Sequence, residues 1–183
     1  MESITSSFSR VLAKERRSLI LLSFIVIVSC MLAGTLSPPD PALAQEVQRL
    51  AQEVQGGGYM AIFFNNAMIT VTFLVPLLGL GSALMASFTT GAAMSAIAQQ
   101  VGTNPQMLFL LTVVMPHSVI EFSAYSLALS ENLVMMQKIL SRKGIDNEVG
   151  PLMASLIMAL ALLVIGMVVE VLTVQLLAGL GPT

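Results

Sequence analysis

Long apolar runs rather than alternation dominate this chain. Leu19–Leu36, Gly58–Leu78, Gly81–Ala98, His117–Leu140 and Pro151–Leu177 each approach or exceed the about 20 residues a helix needs to cross hydrocarbon. In a bilayer the backbone must satisfy its own hydrogen bonds, which leaves helices and closed barrels, and continuous runs favour helices. The pattern therefore predicts an all-α, polytopic membrane bundle of five spans in one domain. Residues 1–17 form its N-terminal segment and 58–178 its core. Gly102-Thr103-Asn104-Pro105 marks a turn, and Gln106 to Met115 is apolar but too short to span. A half-helix, a re-entrant segment and an extension of the fourth span are all open for it. Pro116 either starts a fresh helix or kinks a continuous one. Pro151 suits the first turn of the last span.

The polar stretch from Ser37 to Gly58 carries a repeat. Leu43-Ala-Gln-Glu-Val-Gln-Arg49 recurs as Leu50-Ala-Gln-Glu-Val-Gln-Gly56. Leu43, Val47, Leu50 and Val54 then share one helical face. Prolines at 38, 39 and 41 precede it and three glycines follow it, so residues 41–55 are predicted to form an external amphipathic helix. One reading lays this helix on the membrane or bundle surface. The other docks it on a second copy or an external partner.

Composition sharpens this picture. The 183 residues are 56% hydrophobic and 10% charged, against about 25% charged in soluble domains. Net charge is −2, so there is no polybasic footprint for nucleic acid. With the N-terminus in the cytoplasm, Arg10, Lys14, Arg16, Arg17, Lys138, Arg142 and Lys143 fall inside and Arg49 outside, as the positive-inside rule prefers. Five spans place the C-terminus outside a cell membrane. The one cysteine, Cys30, excludes an internal disulfide. Arg16-Arg17 followed by an apolar core and Ile27-Val28-Ser29-Cys30 also resembles a lipoprotein signal. A retained first helix is the other reading.

Polar groups at bilayer depth are costly and usually face the protein interior. Asn65 and Asn66 lie early in the second span, His117 and Glu121 are one turn apart in the fourth, and Glu170 is deep in the last. They are predicted to form a buried polar cluster, either a structural pin or an ion or proton site. In the structural version an imidazole N–H donates to the Glu121 carboxylate. Metal is not expected, because zinc takes three or four ligands and no second histidine exists. No cofactor and no enzyme activity are expected: GxSxG, HExxH and a phosphate loop are absent. Ser118 beside His117 points about 100° away from it. Gly79, Gly81 and Gly91, with many Ala and Ser residues, predict a tightly packed third span or a self-association face.

These features resemble the stage II sporulation protein M family of bacteria and archaea. The resemblance is carried by Phe64-Asn65-Asn66, Gly79-Leu-Gly81, Gly91 and above all Pro116-His117-Ser118-Val119-Ile120-Glu121-Phe122-Ser123-Ala124, which is similar to a Pro-His-Gly-x-x-Glu-Leu-x-Ala signature. Glu170 resembles the acidic residue of the family's last helix. Ser118 replaces the usual Gly, Thr90 stands where Asn is common, and Ser130-Glu131 occupies a place usually small. The resemblance implies a multi-spanning membrane scaffold, or subunit of a membrane complex, with lipid and other membrane proteins as partners. The intramembrane polar residues support a different expectation, a transporter or channel component moving protons, ions or a small solute along His117, Glu121 and Glu170.

The small-residue faces predict a homo-oligomer, most simply a dimer. Native mass spectrometry in detergent is expected to show it; a monomer at every concentration would exclude it.

Overall fold

The computed structural model describes residues 4–179, without the side chains of residues 4, 5, 46, 47, 50, 51, 53–57 and 177–179. All regular structure among these residues is helical: α1 (Ile4–Val11), α2 (Lys14–Gly34), α3 (Pro41–Leu74), α4 (Gly79–Val101), α5 (Pro105–Val114), α6 (Pro116–Leu140), a 3-10 turn at Asp146–Glu148, and α7 (Val149–Gly179).

Local chemistry sets the breaks. Asp40 accepts a hydrogen bond from Ala42 N at 2.9 Å, and Pro41 opens α3 with its preset φ. Gly58 adopts φ 62°, ψ −162° inside α3, a conformation that a Cβ disfavours. It divides α3 into residues 41–57 and 58–74, which is where the glycine run predicted the amphipathic helix to stop. Leu43 in the first half is half-buried and Ala44 is buried. The side chains of Val47, Leu50 and Val54 lie outside the described residues. Gly102 ends α4 in the left-handed region at φ 68°. Asn104 caps α5, accepting from Gln106 N at 2.8 Å and Met107 N at 3.2 Å. Met115 is extended at φ −63°, ψ 131°, and Pro116 opens α6, so the axes of α5 and α6 meet at 82°. Pro116 therefore starts a fresh helix, and Gln106 to Met115 is no straight extension of the span that follows.

Three helices are long and apolar enough to cross a membrane, Lys14–Gly34, Gly79–Val101 and Asp146–Leu176. The bent pair Pro105–Val114 and Pro116–Leu140 makes four if counted as one span. The expected fifth crossing falls on Gly58–Leu74, one of the shorter apolar helices. Its length at 1.5 Å per residue is about 25 Å, short of the about 30 Å hydrocarbon core.

α2 and α4 run parallel in close contact. Cys30 Sγ donates to Leu84 O at 3.2 Å, Gly34 meets Gly91, and Ser95 Oγ donates to Ser37 O at 2.9 Å, so the contacts advance along both helices together. A Cβ on Gly91 would collide with Met31 O, and one on Gly34 would lie 3.0 Å from Gly91 Cα. Gly79 is likewise buried against Phe73 O and the Asn132 amide. Gly81 differs from the packing role expected for it. It is exposed, and a Cβ there would meet nothing within 4 Å, because its face of α4 turns away from the bundle. Phe24, Phe122, Tyr125 and Phe73 form a chain of ring contacts through the core, with centroids 5.8–6.4 Å apart.

One end of the bundle is tied by ions. Arg16 at the start of α2 donates to Glu131 on α6 and to Glu148 beside α7. Lys138 also reaches Glu148, and Arg10 Nη2 donates to Glu148 at 3.0 Å and Arg10 Nη1 to Asn147 O at 2.9 Å. Both carboxylate side chains are 1% exposed and Arg16 is 12% exposed. Removing Arg16 leaves Glu148 to Lys138 and Arg10 but strands the buried Glu131 without this partner. Arg16→Gln is expected to destabilise the fold by about 3–5 kcal/mol, read as a lowered midpoint of detergent-mediated unfolding. A loss under about 1 kcal/mol, the size for an exposed pair, would mean that water solvates the cluster.

Candidate functional site

The 82° break positions the site. By ending α5 and restarting the chain as α6, it turns the first turns of α6 inward against α3 and α7. Glu121, one turn beyond His117, meets Asn66 of α3: Asn66 Nδ2 donates to Glu121 Oε1 at 2.9 Å. Asn66 is itself steadied by Thr70, whose hydroxyl donates to Asn66 O at 2.8 Å. On the other side α7 comes close at Gly166, where a Cβ would lie 3.3 Å from Glu121 Cγ and 3.6 Å from His117 O. Glu170 follows one turn further along α7.

His117 is placed otherwise than expected. Its Nδ1 is buried with no hydrogen-bond partner among the described residues, and the imidazole makes no hydrogen bond to Glu121. The i, i+4 spacing puts both side chains on one face, but the Asn66 amide takes the carboxylate oxygen. Asn65 is exposed, about 100° around α3 from Asn66.

A cavity of about 260 Å³ opens beside this pair. Its polar wall is Asn65, Asn66, Ser87, Thr90, Thr112, Ser118, Glu121 and Tyr125, drawn from α3, α4, α5 and α6. Ile27, Met31, Ile69, Phe73, Ala86 and Phe122 supply the apolar part, with α2 contributing the first two. Asn65 and Thr90 are exposed at its rim, so the cavity reaches the surface of the chain. Glu170 and His117 flank Glu121 without lining the cavity. Asn65, Asn66 and Glu121 of the expected cluster therefore meet at one space, and the other two stand behind it.

The sequence reading missed half of this wall. Tyr125 carried a usable signal: His117, Glu121 and Tyr125 follow at i, i+4 and i+8 on one helical face. Thr112, Ser87 and Ser118 carried none, since isolated hydroxyls in apolar helices commonly bond their own backbone. The ion cluster at the bundle end was missed too. Glu131 and Asn132 interrupt the apolar run of α6, which marked that position, but nothing local tied it to Arg16.

Against this geometry, the family model described as stage II sporulation protein M matches residues 18–174. No curated protein and no solved structure matches the chain.

If the cavity holds water, its side chains are reachable from the aqueous phase. In a Cys30→Ser background, Thr112→Cys and Ser118→Cys are expected to react with a membrane-impermeant thiol reagent faster than Met85→Cys, whose side chain points outward from α4. Equal rates at all three positions would mean that the space is dry.

Proposed function

The chain belongs to the stage II sporulation protein M family, and from that premise we propose that this membrane protein admits a small polar or cationic solute, or a proton, to the cavity beside Glu121 and passes it across the bilayer. The observation that carries the reading is the convergence of one carboxylate, two side-chain amides and several hydroxyls from four helices on a single cavity. A purely structural pin would close these groups on one another in a dry core. Here the Asn66–Glu121 bond satisfies one carboxylate oxygen and leaves the wall around it open.

The broken helix supports the same reading. Discontinuous helices at membrane depth place backbone ends and side chains at a site between packed elements, which is how many transporters build one. Thr112 near the end of α5 and Ser118 in the first turn of α6 both line the cavity. The end holding Arg10, Arg16 and Lys138 faces the cytoplasm in this reading, in keeping with the positive-inside rule.

The scaffold reading draws on the family and on the repeat in residues 43–56, and it is compatible with a solute site. Its own test is a co-purified membrane partner that is lost when Leu43, Val47, Leu50 and Val54 are changed to Ser.

Reconstituted in liposomes, the wild-type chain is expected to carry a proton or cation flux above empty vesicles. Glu121→Gln should return that flux to the empty-vesicle level while Glu170→Gln lowers it partially. Flux unchanged in Glu121→Gln, or none in a correctly folded wild type, would remove the transport reading.

A further inference from the structure

Resting on the reading that the cavity takes a solute, we infer that its ligand is a small organic ammonium ion, an alkylamine or quaternary ammonium headgroup, rather than a bare metal ion. Four observations lead there.

The first is charge. Among the described residues, Glu121 is the only carboxyl in the wall, and no Lys, Arg or His lines it. His117 stands one turn before Glu121 on α6 and does not line the cavity. A carboxylate in low dielectric without a countercharge is costly, so a positively charged ligand completes the site where an anion would be repelled.

The second is hydrogen-bond polarity. Thr90 Oγ1 donates to Ala86 O at 2.8 Å and Thr112 Oγ1 donates to Leu108 O at 2.9 Å. Their protons are engaged within their own helices, so these hydroxyls offer lone pairs to the cavity. Asn66 has likewise turned an amide N–H toward Glu121, which leaves its carbonyl oxygen as acceptor. Such a wall suits a ligand that brings donors or positive charge.

The third is the aromatic side. Phe73, Phe122 and Tyr125 line the same space, with Tyr125 in ring contact with both phenylalanines at 5.8 and 6.4 Å. Ring faces attract ammonium groups, and aromatic walls beside a carboxylate are a recurrent way of holding alkylammonium ions.

The fourth is size and ligand count. The cavity of about 260 Å³ far exceeds the about 30 Å³ share of one water, and so exceeds the space a dehydrated metal ion fills. Among the described residues, no three His, Cys, Asp or Glu side chains gather as a metal site would need.

The test is isothermal titration of the purified full chain at fixed ionic strength, with choline and ethanolamine as probes. The comparison ligand is 3,3-dimethylbutan-1-ol, an uncharged analogue of choline with the same shape. Both ammonium probes are expected to bind, and the alcohol at least about tenfold more weakly. Glu121→Gln should weaken choline binding by about tenfold or more. Tyr125→Leu should weaken it as well, while Tyr125→Phe, which keeps the ring, should restore it and so separates a ring contact from a folding defect. Equal binding of alcohol and choline, or binding indifferent to Glu121→Gln, overturns the inference. No ammonium binding alongside a Glu121-dependent proton or sodium flux overturns it and leaves the proposed function standing. Neither binding nor flux removes both.

Discussion

The hydrogen bond from Asn66 to Glu121 joins α3 to α6 at the wall of the cavity. A carboxylate half-buried between helices needs a donor from its own protein, and the Asn66 amide supplies one. This one requirement fixes how α3 faces α6, because a rotation of either helix by one residue, about 100°, would carry its member of the pair away. α7 comes in against the back of Glu121 at Gly166, where a Cβ would lie 3.3 Å from Glu121 Cγ and press on that side chain. The site is thus a consequence of how one polar group avoids hydrocarbon.

α6 carries two such demands about ten residues apart, roughly 15 Å along its axis. Near its start Glu121 looks to α3 and α7. Near its end Glu131 looks to Arg16 of α2, while the neighbouring Asn132 donates to Val75 O at the turn joining α3 to α4. The helix is therefore held at two levels by different partners. The lower level also binds the N-terminal segment to the loop before α7 through Arg10, Lys138 and Glu148. Between the two levels the aromatic chain of Phe24, Phe122, Tyr125 and Phe73 fills the core, with Tyr125 also lining the cavity.

Small residues decide where the bundle is tight, and the helix break decides where it is open. The Gly34–Gly91 contact lets backbones of α2 and α4 approach closely, a mode of association that suits lipid, where dispersion replaces the hydrophobic effect. At the 82° bend between α5 and α6 the opposite happens. Two helix axes diverge from one point, and the wedge between them and α3 and α4 becomes the cavity. Ser118, in the first turn of α6, adds a hydroxyl to that wall.

Read from its sequence, this protein was already a helical membrane bundle. A break or kink at Pro116, the turn at 102–105, the stop at the glycine run ending at Gly58 and the candidacy of Asn66, Glu121 and Gly91 were legible as well. Each of those follows from local rules: run length, the missing N–H of proline, the φ freedom of glycine, the cost of a charge in lipid. The fivefold span count was not secured by them, because the length of a helix depends on where its neighbours let it bend, and Gly58–Leu74 stops short. Nor could the sequence pair Asn66 with Glu121 in place of His117, leave Gly81 facing outward, or bring Arg16 to Glu131 across 115 residues of chain. Those choices belong to the tertiary structure, since a polar side chain takes whichever partner the packing of whole helices brings within reach, and spacing along one helix says only which way it points.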